Sequence, residues 1–379
     1  MRVLMISLDK NLLEADSIGD VVERHKEYAQ YIDKLDIIIF SKKGFAERKI
    51  NAKSNVYSTN SLFNIFYAWD AYKVARPLIS PDTLIVCQDP FLTGLAGWFL
   101  KRKFKIPLLI HFHGDFWQNP YWLEEKWYNR ILLWLSKFLV KQTDGLRVVS
   151  FGIKQKLIKA GVPENKIRVI PTPTVNLEKF QKYDLAEVKE IKEQYHSRKI
   201  ILYVGRLAKE KNLPLLFKAA KKVVLDYPQC IFLIIGQGKE EKKLKLQVLN
   251  YGLKDYIKFL GPLKHEDLVN YYQAGYALVL PSFSESFGKV LLEAGLTQKP
   301  AVATATTGAK EIIIDGRTGF LVPINNQTAL AQAIVKLLQD KNLAQEMGQK
   351  AKKHILTNFN PEQIIQKMVS FWKELISLS

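Results

Sequence analysis

The chain has 379 residues, a formal net charge of +19 and 47% hydrophobic residues, which is too long for one ordinary core and favours two domains. Its longest apolar stretches, such as PFLTGLAGWFL, are far shorter than the ~20 residues of a membrane-spanning helix. Cys87 and Cys230 lie in apolar runs typical of buried strands, and no Cys/His cluster has metal-site spacing. We therefore expect a protein of the cytoplasm, either free or attached to the inner face of a membrane.

Short apolar runs alternate along the chain with longer amphipathic stretches, which is typical of α/β domains with parallel sheets. The predicted strands are RVLMISL, DIIIF, TLIVCQ, PLLIHFH, GLRVVS and IRVIP in the first half, and KIILYVG, QCIFLIIG, YIKFLG, ALVLPS, PAVAT and GFLVP in the second. The prolines of PTPTVNLEKF predict a linker between the halves. We expect an N-terminal Rossmann-like domain over residues 1–175 and a C-terminal one over 176–359, facing across a central cleft. A terminal helix over 360–379 is expected to pack back on the first domain.

Ligands of open parallel sheets bind beyond the carboxyl ends of the strands, so residues that directly follow strands are site candidates. Gly205, Arg206 and Lys211 follow the strand IILYV. An arginine fork and a lysine ammonium that converge suit a pyrophosphate, whereas a solvated basic loop is the alternative interpretation.

The segment LVLPSFSESFGKVLLEAG predicts a strand, a polar loop and a helix that begins near Gly288. Backbone amides of Phe287, Gly288 and Lys289 in the first turn would form an anion site. Glu293, on the second turn, suits a ribose diol, and Glu285, before the helix, suits the hydroxyls of a sugar. The alternatives are an exposed helical position for Glu293 and an acid favoured by the helix dipole for Glu285.

The pattern G-R-x4-K, then E-S-F-G-x4-E, then E-x3-D-G-x2-G-F-L-V resembles the retaining glycosyltransferases of family GT4, which have the GT-B fold. The last element corresponds to Glu311, Asp315-Gly316 and Gly319-Phe320-Leu321-Val322. The resemblance is dense over residues 198–325. Thr307-Gly308 stands where many relatives have two glycines.

The resemblance implies a role for each matching residue. Arg206 and Lys211 would hold the diphosphate of a nucleotide-sugar donor, Glu285 would contact its sugar and Glu293 its ribose. Either a UDP-sugar or a GDP-sugar fits. Because the sequence has no Asp-x-Asp motif, we expect no divalent metal.

In GT-B relatives the N-terminal domain supplies the acceptor site and some donor contacts. Relatives carry paired glycines after the first strand, where this chain has only Gly19, so Gly19 is either the residue of close approach to the phosphate or part of a helix-start turn capped by Asp20. His113, before Gly114-Asp115, matches a family histidine that touches the donor sugar. His111 is a lesser candidate on the same face of the strand.

Residues 101–168 contain 14 basic and 5 acidic residues, and this segment includes the aromatic stretch NPYWLEEKWYNRILLWLSKF. Trp127, Ile131, Trp134 and Phe138 recur at helical spacing. The pattern fits docking on an anionic membrane that presents a lipid-linked acceptor, or a core helix with buried tryptophans.

These observations predict a retaining hexosyltransferase that acts on a glycan or lipid-linked acceptor in the synthesis of cell-surface polysaccharide or glycolipid. Arg206, Lys211 and the helix start at Gly288 would stabilise the departing nucleoside diphosphate. A nucleotide-sugar epimerase of the same fold is one alternative. A basic nucleic-acid-binding protein is another, although no recognised nucleic-acid module is present. A dehydrogenase is not expected, because it would require a G-x-G-x-x-G after the first strand and the sequence has none there.

Overall fold

The computed structural model describes residues 1–14, 21–173 and 177–378, which divide into two compact units. The first unit contains residues 1–175 together with the C-terminal segment 361–379, and the second contains residues 176–360. Each unit is an α/β domain built on its own sheet.

The described residues of the first unit form eight strands in the order β3-β4-β2-β1-β5-β6-β7-β8. All pair in parallel except β3, which is antiparallel to β4. Sequence periodicity did not predict β3 and β4, because both are short and mostly polar, and β3 has no fully buried residue. The strands are β1 Arg2–Ser7, β2 Lys34–Ile39, β3 Arg48–Asn51, β4 Ser54–Ser58, β5 Thr83–Cys87, β6 Leu108–Phe112, β7 Gly145–Val148 and β8 Ile167–Val169.

Seven α-helices belong to the described part of the first unit. The last of them buries an apolar stripe, and the Trp372 ring lies 5.2 Å from the Tyr28 ring of the first helix. Gly145 permits this packing, because a Cβ there would lie 2.8 Å from side-chain atoms of Phe371 and Leu375. The helices are α1 Val21–Gln30, α2 Tyr67–Ala75, α3 Leu92–Phe104, α4 Pro120–Glu125, α5 Asn129–Gln142, α6 Phe151–Lys159 and, at the C-terminus, α15 Pro361–Ser377.

The second unit has six parallel strands in the order β11-β10-β9-β12-β13-β14. Its central strands are buried runs of aliphatic residues, as expected for a sheet covered by helices on both faces. The strands are β9 Lys199–Val204, β10 Cys230–Ile235, β11 Ile257–Gly261, β12 Ala277–Leu280, β13 Ala301–Thr304 and β14 Gly319–Val322.

Side-chain caps define several helix starts in the second unit. Asp184 accepts hydrogen bonds from the amides of Ala186 and Glu187, and Asp340 accepts one from Leu343. The helices are α7 Leu185–Gln194, α8 Leu213–Asp226, α9 Glu241–Asn250, α10 His265–Ala274, α11 Lys289–Leu296, α12 Ala309–Ile312, α13 Gln327–Gln339 and α14 Lys341–Asn358.

Candidate active site

The second sheet reverses its strand order between β9 and β12. From β9 the chain continues to β10 and β11 on one side, and it then returns to place β12, β13 and β14 on the other. Loops that leave two such neighbouring strands diverge, and the crevice between them is where open α/β sheets bind ligands. Arg206 and Lys211 follow β9, and Glu285 follows β12. The fold therefore brings the predicted donor residues to one place in this unit.

The loop after β9 is held by close backbone contacts. Gly205 has a φ of 154°, and a Cβ on Gly236, after β10, would lie 2.0 Å from the carbonyl oxygen of Gly205. The Tyr203 hydroxyl donates to the Arg206 carbonyl over 2.8 Å. Gly236 was not singled out from the sequence, although a glycine directly after a buried strand signals such an approach.

The Arg206 side chain is largely in solvent, where its Nη2 lies 3.0 Å from Glu210 Oε1. Exposed ion pairs of this kind contribute little stability, because water screens both charges. The guanidinium therefore loses little stabilising free energy when it leaves Glu210 to bind another anion.

Lys211 and Glu285 contact each other directly. Lys211 Nζ lies 2.6 Å from Glu285 Oε2, and both side chains are mostly buried. The amide of Phe283 donates to the carbonyl of Glu210 over 2.9 Å and joins the two loops that carry the pair. The sequence assigned these residues to two different parts of a donor, but only the fold shows that they form one ion pair.

Glu293, on α11, is 7% exposed, so its interpretation as an exposed helical position is wrong. Its Oε2 accepts a hydrogen bond from the hydroxyl of Tyr272, on α10, over 2.8 Å. Burial, and then the negative charge of Glu293, raise the pKa of Tyr272 well above its usual range. A phenol that stays protonated is a dependable donor to the carboxylate.

Gly288 caps α11 with a φ of 87°, in the left-handed region that favours glycine. Lys289 is the first helical residue, and the preceding Phe287 ring is buried 5.9 Å from the Phe359 ring. The helix therefore begins where the sequence placed it, with its positive dipole end next to the Glu285 loop.

The glycine retained in Thr307-Gly308 is required by packing. A Cβ on Gly308 would lie 2.3 Å from the backbone nitrogen of Phe287. The Gly308 amide donates to the Glu285 carbonyl over 2.7 Å, and the Thr307 hydroxyl donates to the same oxygen over 3.0 Å. This loop therefore fixes the backbone of Glu285.

Asp315 and Gly316 of the closing motif form a turn before β14. Asp315 Oδ1 accepts from the Leu321 amide over 2.8 Å, and Gly316 has a φ of 68°. These two residues shape the turn that leads into the last strand.

In the first unit, a cavity of about 340 Å³ lies at the carboxyl ends of β1, β5, β6 and β7. His111, on β6, lines it and is the register neighbour of Arg147, on β7. His113 also lines it, and its Nε2 donates to Gln88 Oε1 over 2.6 Å. Gly19, the predicted residue of close approach to the phosphate, lies outside the described residues.

Arg147 was missed by sequence reasoning, which treated GLRVVS only as a buried strand. It is 1% exposed, and its Nη1 lies 3.2 Å from His113 Nδ1. Because the guanidinium can only donate, His113 accepts at Nδ1 and carries its proton on Nε2. The sequence signal that could have identified Arg147 as a site residue is the presence of an arginine inside an otherwise apolar strand.

The aromatic helix α5 is not a core helix with buried tryptophans. Trp127, just before it, is 81% exposed and Trp134 is 70% exposed, while Phe138 packs on Trp98 at 5.2 Å between ring centroids. The adjoining basic side chains are also exposed, namely Lys126, Arg130, Lys137 and Lys141.

A second exposed apolar patch precedes and enters α2. The helix α2 packs against α3, and α3 packs against α5, so these helices share a layer. The exposed side chains of the patch are Leu62, Phe63, Ile65, Phe66 and Trp69.

Cys87 and Cys230 are buried and free of disulfides. Over residues 1–14, 21–173 and 177–378, no three His, Cys, Asp or Glu side chains are grouped as metal ligands. Within the same ranges, no helix has the length and apolarity needed to cross a bilayer.

Comparisons with known proteins cover both units. The family Glycosyl transferases group 1 matches residues 185–354, and Glycosyltransferase Family 4 matches residues 33–176. An alpha-D-kanosaminyltransferase of Streptomyces kanamyceticus is 28% identical over 70% of each chain. The capsular polysaccharide biosynthesis glycosyltransferase CapM of Staphylococcus aureus is 28% identical over 66% of each chain. HepE of Anabaena, solved with UDP and glucose, superimposes with a TM-score of 0.78 at 20% identity and covers 99% of this chain and 100% of its own. The matched families and the two parallel-sheet domains show that this chain is a glycosyltransferase of family GT4 with the GT-B fold.

Proposed function

We propose that the protein transfers a hexose-type sugar, with retention of anomeric configuration, from a UDP- or GDP-sugar to a hydroxyl of a glycan or lipid-linked acceptor. The observation that carries the proposal is the convergence of Arg206 and the Lys211–Glu285 ion pair at the β9/β12 reversal, beside the start of α11. The structure of HepE with UDP and glucose and the polysaccharide role in the name of CapM support a nucleotide-sugar donor and a glycan product.

In this proposal Lys211 leaves Glu285 to bind the donor diphosphate, and Glu285 becomes free to accept hydrogen bonds from sugar hydroxyls. Exchange of one anionic partner for another keeps the ammonium paired throughout. Glu293, oriented by Tyr272, accepts the ribose hydroxyls. Arg206 swings from Glu210 to the diphosphate at little cost, because its present ion pair is exposed.

The bond between the sugar C1 and the phosphate oxygen breaks as the acceptor oxygen bonds to C1 from the same face. The acceptor proton passes to the departing phosphate. Arg206, Lys211 and the α11 dipole stabilise the charge that develops on that phosphate. We propose that these protein charges serve without a divalent metal.

A panel of UDP- and GDP-sugars tests the donor assignment. We expect one of them to bind and to be hydrolysed slowly without acceptor, with its activity unchanged in EDTA. The anomeric configuration of the transferred sugar, measured by NMR, should match that of the donor. Failure of every member to bind, or conversion of the donor into an epimer without acceptor, would contradict the proposal.

We also propose that the first unit docks on an anionic membrane surface. The exposed aromatic rings of Trp127 and Trp134 lie among exposed lysines and an arginine. Tryptophan prefers the bilayer interface, and each basic residue near an anionic surface adds about 1 kcal/mol. The patch that precedes α2 would enlarge the apolar contact.

A further inference from the structure

We propose that the cavity of the first unit binds an oxyanion, either a phosphate or a carboxylate, that is carried by the acceptor, and that Arg147 is its charge partner. The assignment of this oxyanion to the acceptor rests on the proposed function. The presence of an oxyanion site rests on the cavity alone.

Arg147 is a buried charge whose partners are neutral. Its Nε donates to the Ile170 carbonyl over 2.6 Å and its Nη2 to Thr172 Oγ1 over 3.2 Å. Its remaining partner is the His113 ring. No carboxylate among the described residues lies within ion-pair distance. Buried charges in proteins are as a rule paired with an opposite charge, so we expect this guanidinium to have an anionic partner.

Two other buried charges in the same unit have ion-pair partners, whereas Asp89, 8% exposed, is held by the Phe91 amide. Asp115, 8% exposed, pairs with Lys156 over 2.7 Å, and Asp36, 3% exposed, pairs with Lys34 over 3.2 Å. Arg147 has no such ion-pair partner among the described residues. Burial, and then the charge of Arg24, lower its pKa only to about 10, so it stays charged at neutral pH.

His111 supplies a second, independent observation. Its ring lines the cavity beside Arg147 and is 3% exposed, and neither ring nitrogen has a hydrogen-bond partner in the part of the chain that the structure describes. Burial, and then the charge of Arg147, lower its pKa well below the usual range, so the imidazole is neutral and keeps one N–H to donate. A buried polar group without a partner requires an explanation, and a bound ligand provides one.

The charges around the cavity favour an anion. Among the described lining residues, Arg24, on α1, and Arg147 carry positive charge, and Asp9 carries negative charge. Asp9 Oδ1 already accepts the Asn11 amide over 3.2 Å. His25, the remaining lining histidine, is neutral because burial lowers its pKa to about 3.

The cavity volume of about 340 Å³ lies at the lower end of the range for small-molecule sites. It accommodates an oxyanion with part of the molecule that carries it. The described lining residues all belong to the first unit, whereas Arg206 and Lys211, which we propose bind the donor diphosphate, belong to the second. We therefore assign this oxyanion to the acceptor.

Inorganic phosphate is the probe, titrated into the full-length protein at constant ionic strength with saturating UDP present to occupy the donor site. We expect phosphate to raise the Tm and to shift the ring NMR resonances of His111 and His113, assigned with single His→Asn variants. Acetate in a parallel titration separates carboxylate from phosphate preference. If phosphate shifts the ring resonances of neither histidine in the wild-type protein, the inference is wrong. This result requires no variant.

Arg147→Met keeps the volume of the side chain and removes its charge. We expect it to weaken phosphate binding at least tenfold, with Arg147→Lys in between. Arg168→Met is the matched control, because Arg168 lies on the neighbouring strand, half in solvent and paired with Glu374, and it should bind phosphate like wild type. Equal losses of phosphate and UDP affinity in Arg147→Met would mean that the cavity holds donor phosphate, and would overturn the acceptor assignment. Wild-type protein that binds phosphate but no nucleotide would overturn the proposed donor while leaving the oxyanion site standing.

Discussion

Lys211 Nζ lies 2.6 Å from Glu285 Oε2, and together these side chains link the loop after β9 to the loop after β12. Each is only about one-sixth exposed, so their charges interact in a medium less polar than water. The pair occupies the point where the strand order of the second sheet reverses. Its geometry leads to two separable predictions.

Lys211→Met removes the ammonium proposed to bind the donor diphosphate. We expect the Kd for the nucleoside diphosphate to rise about tenfold or more and kcat/KM to fall about 100-fold, because a charge that stabilises the leaving group is lost. Lys209→Met, two residues away on the same turn and exposed, is the control. Calorimetric nucleotide titration and initial rates measure both effects, and wild-type behaviour in Lys211→Met contradicts the donor site.

Glu285→Gln keeps the shape of the side chain but neutralises it. We expect kcat to fall by about 100-fold while nucleoside diphosphate affinity is unchanged or higher, because Lys211 loses its protein counter-charge and Glu285 contacts only the sugar. The measurement is the pair of kcat and nucleotide Kd. A large loss of nucleotide affinity with kcat intact would place Glu285 on the nucleotide instead.

Glu293→Ala should lower stability as well as nucleotide binding, because Glu293 is buried and accepts a hydrogen bond from Tyr272. Tyr272→Phe isolates the structural part and should cost about 1.5–3 kcal/mol, the usual value of a hydrogen bond to a charged group. Glu293→Gln retains an acceptor for Tyr272 and should weaken binding of UDP more than binding of uracil. Urea unfolding and nucleotide titration separate the two effects. If Glu293→Gln loses equal affinity for UDP and for uracil, Glu293 does not contact the ribose.

The double variant Trp127→Gln, Trp134→Gln should bind anionic vesicles at least tenfold more weakly than wild type, because two interfacial aromatic anchors are removed. Leu225→Gln is the control, since Leu225 is equally exposed at 81% but lies in the second unit. Sedimentation with phosphatidylglycerol vesicles measures the effect. Equal binding by the double variant and wild type excludes this helix as the docking surface.

His25 gives a pH dependence of stability. Burial, and then the charge of Arg24, lower its pKa to about 3 in the folded protein, whereas the unfolded ring titrates near its ordinary value of 6.5. Below pH 6.5 the unfolded chain therefore binds a proton that the folded chain does not, and stability falls as the pH falls toward 3.

Between pH 7 and pH 5 this difference amounts to about 2 kcal/mol. His25→Gln lacks the titrating ring, so the stability advantage of wild type over the variant should shrink by that amount. Urea unfolding of both proteins at the two pH values provides the comparison. An advantage that stays constant with pH would show that the folded ring takes up its proton near the ordinary pKa.

The sequence by itself determined the family, the α/β class and the strands of both sheets except β3 and β4. Buried aliphatic strands leave a strong pattern in the sequence, and the residues of the E-S-F-G-x4-E motif are close together in the chain. Both can therefore be recognised from the sequence alone. The polar hairpin β3–β4 leaves no such pattern, because its strands are only partly covered.

Only the tertiary structure decided which side chains meet. Lys211 and Glu285 are 74 residues apart, and His111 is 36 residues from the Arg147 that lies beside it in the sheet. A sequence records each residue's type but not its neighbours across a sheet. The Lys211–Glu285 ion pair and the burial of the Arg147 guanidinium could therefore not be predicted from it. Exposure of Trp127 and Trp134 was also decided by packing, since a helical stripe of aromatic residues is compatible with a buried face or a solvent face until the sheet beneath it is placed.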